Sequence, residues 1–271
     1  MKILNGKELS EYITERQARQ IRTLRQEYRV VPKLAIIQTI DSPVIDSYVR
    51  LKQSYSEDIL AEVVVYKIDQ AILMSTIQSL NEDKTVHGII IQLPLADTSE
   101  TEAAVNAVLP VKDVDGLGED AILTPATAMA IDWLIAGYNV ELKGRHIAIV
   151  GNGRLVGAPL AKLWASAGLD VTIYDESTEN LASNIRKAEI VVSATGIPGL
   201  ITSQMIQPNA AVIDAGTASE NGKIVGDIAD DLRERSDVTI TPKRGGVGPL
   251  TVTALFDNLI QAARATVERK S

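Results

Sequence analysis

The chain has 271 residues, with 27 Lys and Arg against 35 Asp and Glu, for a formal net charge of −8. That balance, without a block of basic residues, argues against nucleic-acid or anionic-membrane partners, both of which need a positive footprint. Cysteine is absent and the two histidines, His87 and His146, lie far apart, so disulfides and thiolate chemistry are excluded and no metal site is expected. The opening "MKILNGKELSEYI" lacks the apolar core of a signal peptide and no run approaches membrane-spanning length, so a soluble, cytoplasmic protein is expected.

In chain order, Leu9, Tyr12, Ile13 and Ile21 predict an amphipathic opening helix. "KLAIIQTI" reads as a buried strand, followed by a helix through "IDSYVRLKQSY" (Ile45 to Tyr55). "AEVVVYKI" is a second strand, "QAILMSTIQSLNED" a helix and "VHGIIIQLPL" a third strand. Near-continuous apolar strands separated by helices predict a parallel sheet covered on both faces. With a single phenylalanine, Phe256, the cores should be built from Ile, Val, Leu and Ala.

From Thr124 the pattern begins afresh. "PATAMAIDWLIAGY" reads as a helix, then "GRHIAIVGNGRLVGAPLAKLWASAG" as strand, glycine turn and helix. "DVTIYD", "AEIVVSATG" and "NAAVIDAG" are further strand cores, and "LTVTALFDNLIQAARATVERK" is a long closing helix. The expected class is α/β with two domains. The boundary falls near Gly116 to Leu123: residues 1–120, with 250–271 packing back on them, form one domain, and residues 121–249 the other.

Several short stretches carry chemistry. Tyr48 and Lys52 stand four apart and share a helical face, whereas Arg50 lies off it; most lysines are only solvated surface charges. "IVGNGRLVGAP" follows a buried strand and opens a helix, so Gly151, Gly153 and Gly157 allow a tight turn whose free N–H groups meet a pyrophosphate. Its spacing is one residue longer than the common G-x-G-x-x-G form. Asp175 ends the next strand, where an acid bonds adenosine ribose hydroxyls, although a turn residue or helix cap fits equally well. Glu176 beside it would repel a 2′-phosphate. In "PVKDVDGLG", Asp113 and Asp115 alone suggest no more than a polar turn. Gln92 ends a parallel strand, where open α/β sheets bind ligands, or simply faces water. "RGGVGPLT" places glycines before the final helix, as a ligand edge or a helix entry.

In this order the pieces resemble the bifunctional methylenetetrahydrofolate dehydrogenase/methenyltetrahydrofolate cyclohydrolase family, over nearly the whole chain. The markers are Tyr-x-x-x-Lys at Tyr48 and Lys52, Gln-Leu-Pro-Leu from Gln92, Lys-Asp-Val-Asp-Gly from Lys112 and Gly-Gly-Val-Gly-Pro from Gly245. Leu142-Lys143-Gly144 and Val156-Gly157-x-Pro159 also fit its nucleotide turn. The resemblance implies a catalytic domain facing a Rossmann-like domain, with folate between them and NAD or NADP on the second domain. It implies that Lys52 is the cyclohydrolase proton-transfer group with Gln92 as its hydrogen-bonding partner. Tyr48 is expected to flank the aminobenzoyl part of folate, and Asp115 to grip the pterin edge. Gly246, Val247, Gly248 and Pro249 are expected to border the substrate and nicotinamide. Gly151, Asn152, Gly153, Arg154, Val156, Gly157, Asp175, Thr195 and Gly196 make up the expected cofactor set, and a homodimer is implied.

Four departures from the family pattern stand out. Ile45 replaces a serine, and the loop after Asp-Val-Asp-Gly is short. Asn152-Gly153 replaces Arg-Ser, and Arg244 replaces a proline. Two other readings share these features: a shikimate or amino-acid type NAD(P) dehydrogenase, and a folate- or nucleotide-binding protein that has lost turnover.

Overall fold

A computed structural model describes residues 2–220 and 223–268. The first half runs β1 (Lys2–Ile3), α1 (Gly6–Glu27), β2 (Lys33–Gln38), α2 (Pro43–Ile59), β3 (Glu62–Lys67), α3 (Leu73–Glu82), β4 (Gly88–Ile91) and α4 (Thr101–Ala107). Next come α5 (Ala126–Gly137), β5 (His146–Val150), α6 (Gly157–Ser166), β6 (Asp170–Tyr174), α7 (Leu181–Ile185), β7 (Ile190–Ser193) and β8 (Ala211–Asp214). The chain closes with β9 (Ala218–Glu220), β10 (Lys223–Val225), α8 (Asp230–Arg233), β11 (Thr239–Ile240) and α9 (Val247–Glu268).

The chain divides into two compact units. Unit I is Met1–Ser10 with Thr127–Thr251, and unit II is Glu11–Ala126 with Val252–Ser271. This differs from the expected domains of 1–120 with 250–271 and of 121–249. The first ten residues join the later unit because Lys2 and Ile3 add a parallel edge strand to β11, in register with Thr239 and Ile240. A two-residue strand has no periodicity to betray it, and β11 escapes sequence reading for the same reason.

Unit I holds a parallel six-stranded sheet in the order β1-β11-β8-β7-β5-β6. Ala148, Val150, Val191, Val212 and Ile240 form one core with Ile185 and Leu232. Trp164 of α6 is also buried, and its indole N–H donates to Asp132 of α5 at 2.9 Å. The chain leaves β5 for β6 on one side and β7 on the other, so the sheet's direction of winding reverses at β5.

Unit II has a parallel sheet of three strands, β3-β2-β4. On one face Ala35, Ile37, Ile89 and Ile91 pack against Leu73, Ile77 and Leu80 of α3 and Ala104 and Val105 of α4. The ring of Phe256 on α9 lies 5.2 Å from that of Tyr55 on α2. The Tyr55 hydroxyl donates to Gln17 of α1 at 2.7 Å, and Gln17 donates onward to the Thr253 carbonyl at 2.9 Å. Winding reverses here at β2.

Three element readings shift in detail. The third strand stops at Ile91: the Gln92 amide still donates to the Ile37 carbonyl at 2.9 Å, but Pro94 has no N–H to continue the ladder. The last helix starts at Val247, before the expected Leu250. Tyr12 is 68% exposed and so lies off the apolar face of α1.

His87 sits just before β4 and is buried. Its Nδ1 accepts the Lys33 backbone N–H at 3.2 Å, which requires that nitrogen to be unprotonated. Burial, then Lys112 and Lys33, holds its pKa below the ordinary 6.5. A base with a depressed folded pKa contributes full stability above its unfolded value, and that contribution is lost as pH falls from there through the folded value. Unfolding free energy measured between pH 8 and about pH 5 should therefore decline less steeply in His87→Asn, which keeps an acceptor that does not titrate. Equal slopes would exclude His87 as a contributor.

Candidate active site

Helix α2 carries the first group. Ser42 is an extended N-cap and Pro43 occupies the first turn, where its missing N–H costs no helical bond. Buried Ile45, Val49, Ser56 and Ile59 seat the helix, and left-handed Leu60 ends it. Tyr48 and Lys52 share a half-buried face. The Lys52 ammonium donates to Gln92 Oε1 at 2.9 Å, while the Gln92 amide N–H donates to the Leu93 carbonyl at 3.2 Å. That second bond orients the amide so that its oxygen, rather than its NH₂, meets the lysine.

Asp115 completes the group. It is half-buried and lines a small cavity with the apolar Ile89, Ile91, Val105, Val108 and Leu117 and with the carboxylate of Asp113. Desolvation lifts its pKa from 3.8 to about 6; Lys52 pulls it down and the neighbouring Asp113 pushes it up. Lys52 is depressed below its ordinary 10.5 by burial, against the pull of Asp115. The structure thus brings Lys52, Gln92 and Asp115 together within unit II, with Tyr48 one turn before Lys52 on α2.

The loop holding Asp115 explains the role of Asp113, which is buried. Its two carboxylate oxygens accept the N–H groups of Gly116 at 2.9 Å and Gly118 at 2.8 Å. Gly88 is required nearby, since a Cβ there would lie 2.7 Å from the Val114 side chain.

The second group lies at the carboxyl ends of β5, β6 and β7 in unit I. Gly151 turns with φ +103°, and a Cβ on Gly157 would fall 1.8 Å from the Gly151 carbonyl oxygen. That close approach folds the β5–α6 turn tightly, while nothing lies within 4 Å of a Cβ placed on Gly153. Asn152, Arg154 and Val156 fill out the turn, and α6 starts at Gly157, where the Ala158 N–H donates back to the Gly153 carbonyl at 3.2 Å and Pro159 has no N–H. Asp175 follows β6 and is exposed. Its Oδ1 accepts from the Ser177 N–H at 3.0 Å and the Ser177 hydroxyl at 2.6 Å, and these bonds lower its pKa. It is thus both a turn-former and an acid at the expected ribose position.

Thr195 and Gly196 follow β7. The Thr195 hydroxyl donates to Asp227 at 2.9 Å, its N–H to the same oxygen at 2.7 Å, and Ser193 adds a third bond at 2.7 Å. The side chain of Thr195 therefore braces the turn, and Gly196, at φ +69°, shapes its outer edge. Asp227 is fully buried and was not singled out from the sequence; a lone Gly-Asp pair carries no signal there. Gly246, Val247, Gly248 and Pro249 lie in unit I at the head of α9. The turn at Gly6 packs on them: a Cβ at Gly6 would sit 1.8 Å from the Gly246 carbonyl oxygen. The Asn5-Gly6 pair is a turn signal in the sequence, but nothing local names its distant neighbour.

A family model described as the tetrahydrofolate dehydrogenase/cyclohydrolase catalytic domain matches residues 4–115. A second, its NAD(P)-binding domain, matches residues 125–267. The chain belongs to the tetrahydrofolate dehydrogenase/cyclohydrolase family. It is 34% identical to the bifunctional protein FolD of Exiguobacterium sibiricum, over 97% of this chain and 99% of that protein. The crystal structure of the bifunctional FolD from Campylobacter jejuni matches with a TM-score of 0.93 at 30% identity, covering 98% of this chain and 99% of that one. The Trypanosoma brucei FolD, solved with NADP cofactor and an inhibitor, matches at 0.90 and 30% identity, covering 98% of each chain. A shikimate 5-dehydrogenase from Thermus thermophilus reaches only 0.54 at 15% identity, a likeness of fold alone.

The glycine turn fits a dinucleotide by its cradle: close backbone approach at Gly151 and Gly157, and open space above Gly153. Gly157→Ala should force the β5–α6 turn apart. Overpacking of this kind costs about 1–3 kcal/mol, so a lower Tm and weaker binding of NAD and NADP are expected in melts and titrations. Unchanged nucleotide affinity would place the binding site elsewhere.

Proposed function

We propose that this protein oxidises 5,10-methylenetetrahydrofolate to the 5,10-methenyl form with a nicotinamide cofactor and hydrolyses that cation to 10-formyltetrahydrofolate. The observation that carries the reading is the hydrogen bond from Lys52 to Gln92 beside Asp115, in a chain of this family. Bound NAD or NADP supplies the hydride acceptor. In the oxidation, the C–H bond of the bridging carbon breaks with its electron pair leaving as hydride, and both flanking nitrogens share the positive charge that remains. The step needs positioning more than an acid or base.

Hydrolysis makes a different demand. Water adds to the bridging carbon and loses a proton; the hydroxyl so formed then loses its own proton as the formyl C=O forms and the carbon–N5 bond breaks, and N5 gains a proton, so that one proton is released overall. Lys52 takes the first proton and returns one to nitrogen. Burial favours its neutral, basic form, and Gln92 orients it without adding a charge. Asp115 accepts from the pterin donor groups, and Tyr48 flanks the aminobenzoyl ring. The same reading includes a cytoplasmic homodimer, which sedimentation of the purified protein would test.

General acid–base catalysis is typically worth about 10²–10⁴-fold. Lys52→Met keeps the stem of the side chain and removes the amine, so methenyltetrahydrofolate hydrolysis should fall by that order while oxidation of methylenetetrahydrofolate stays measurable. Undiminished hydrolysis in a folded variant would leave the cyclohydrolase half of the proposal without a base.

Cofactor choice follows from the end of β6. Asp175 and Glu176 are both exposed there and present two carboxylates where a 2′-phosphate would bring more negative charge. NAD should therefore show a higher kcat/KM than NADP. Parity, or a preference for NADP, would assign phosphate recognition to Arg154.

A further inference from the structure

Helix α9 reaches the Asp115 loop through one side chain. Asn258 is 1% exposed, and its amide nitrogen donates to the Val114 carbonyl and to the Thr124 carbonyl, each at 2.9 Å. These two bonds use both of its N–H donors. They tie together the start and the end of the segment that carries Asp115. Val114 itself is fully buried, in the space that the absence of a side chain at Gly88 leaves open. Inside the segment, Asp113 staples the turn through the amides of Gly116 and Gly118. The peptide unit whose carbonyl Asn258 holds is the one whose nitrogen belongs to Asp115. Any tilt of that plane moves the first bond of the Asp115 side chain.

We propose that Asn258 is a positioning residue for the active site, holding Asp115 from α9 against the Lys52–Gln92 pair. The inference rests on the functional reading of Lys52 and Asp115 given above. A side chain that only satisfied two buried carbonyls would affect stability alone. One that sets the place of Asp115 also controls how much hydrocarbon and how much water surround its carboxylate. The charged groups facing Asp115 are Lys52 from α2 and Asp113 from its own loop. Strands β4 and helix α4 contribute only apolar side chains to the cavity wall, Ile89, Ile91 and Val105.

The test uses Asn258→Leu, which keeps the γ-branched outline of the side chain and has no donor. The Asp115 carboxyl carbon is titrated by ¹³C NMR in the wild type and in the variant. Loss of enclosure should bring the midpoint down from about 6 toward 3.8, by about one unit. Small misplacements of a positioned group can cost about 10²-fold, so hydrolytic kcat should fall by up to that factor. On an Asp115→Asn background, Asn258→Leu should produce no further fall. Phe256→Leu, which loosens α9 at the Tyr55 contact and leaves the Asn258 bonds in place, serves as a control of comparable lost stability. If Asn258→Leu does not fold, Asn258→Ser keeps one donor and should give an intermediate shift in the same titration. An unmoved midpoint, or an equal shift in Phe256→Leu, overturns the proposal. The titration needs no turnover, so a wild type without hydrolysis would sink the functional reading while the positioning role was still decided.

Discussion

Lys52 and Asp115 sit partly withdrawn from water within one small unit, and much of its construction answers to that pairing. Desolvation pushes the two groups in opposite senses, the lysine toward its free amine and the aspartate toward its acid, while their mutual attraction restores both charges. A balance of this kind is sensitive to distance, since in a low-dielectric pocket the Coulomb energy changes steeply with separation. Two groups poised in this way need rigid supports. The helix under Lys52 is seated by four buried residues, and the loop under Asp115 is stapled by Asp113 and tied to α9 by Asn258.

Both units place their candidate functional residues by the same topological device. In a parallel sheet, the loops leaving the carboxyl ends diverge where the direction of winding reverses, and a crevice opens there. In unit I the reversal is at β5, where the glycine turn leaves the strand, with the Thr195 turn leaving its neighbour β7. In unit II it is at β2, with Lys52 on the helix that follows β2 and Gln92 just past β4. Under the proposed function, the reversal in unit I serves the nucleotide and the one in unit II serves folate.

What could be read in the sequence follows from how local each cause is. Buried parallel strands announce themselves as apolar runs, and the turn at Gly151 to Gly157 is recognisable because strand, glycines and helix adjoin in the chain. Tyr48 and Lys52 share a face by helical spacing alone, but nothing within α2 says that the face meets Gln92, forty residues on. The ordered set of motifs supplied that link by resemblance. Asn258, Asp227 and Gly6 stayed hidden because their partners lie far along the chain, and a buried asparagine within an amphipathic helix has no pattern to mark it. The edge strand β1 was missed for a related reason: its two residues gain their meaning only from β11.

The choice of an amide at position 92 is the remaining constraint. A carboxylate there would join Asp115 in holding the ammonium charged, raising the lysine pKa against the depression that burial causes. A hydrocarbon would leave the amine without orientation, and the ammonium without a hydrogen bond whenever it was protonated. The Gln92 carbonyl accepts an N–H from the charged and the neutral amine alike, so the same contact survives both halves of a proton-transfer cycle. Its own NH₂ is occupied by the Leu93 carbonyl, which keeps the amide from turning to present a donor to the ammonium. Where Leu93 holds its backbone therefore bears directly on the lysine, and the break in the ladder after Ile91 is part of the site rather than an accident of the strand's end.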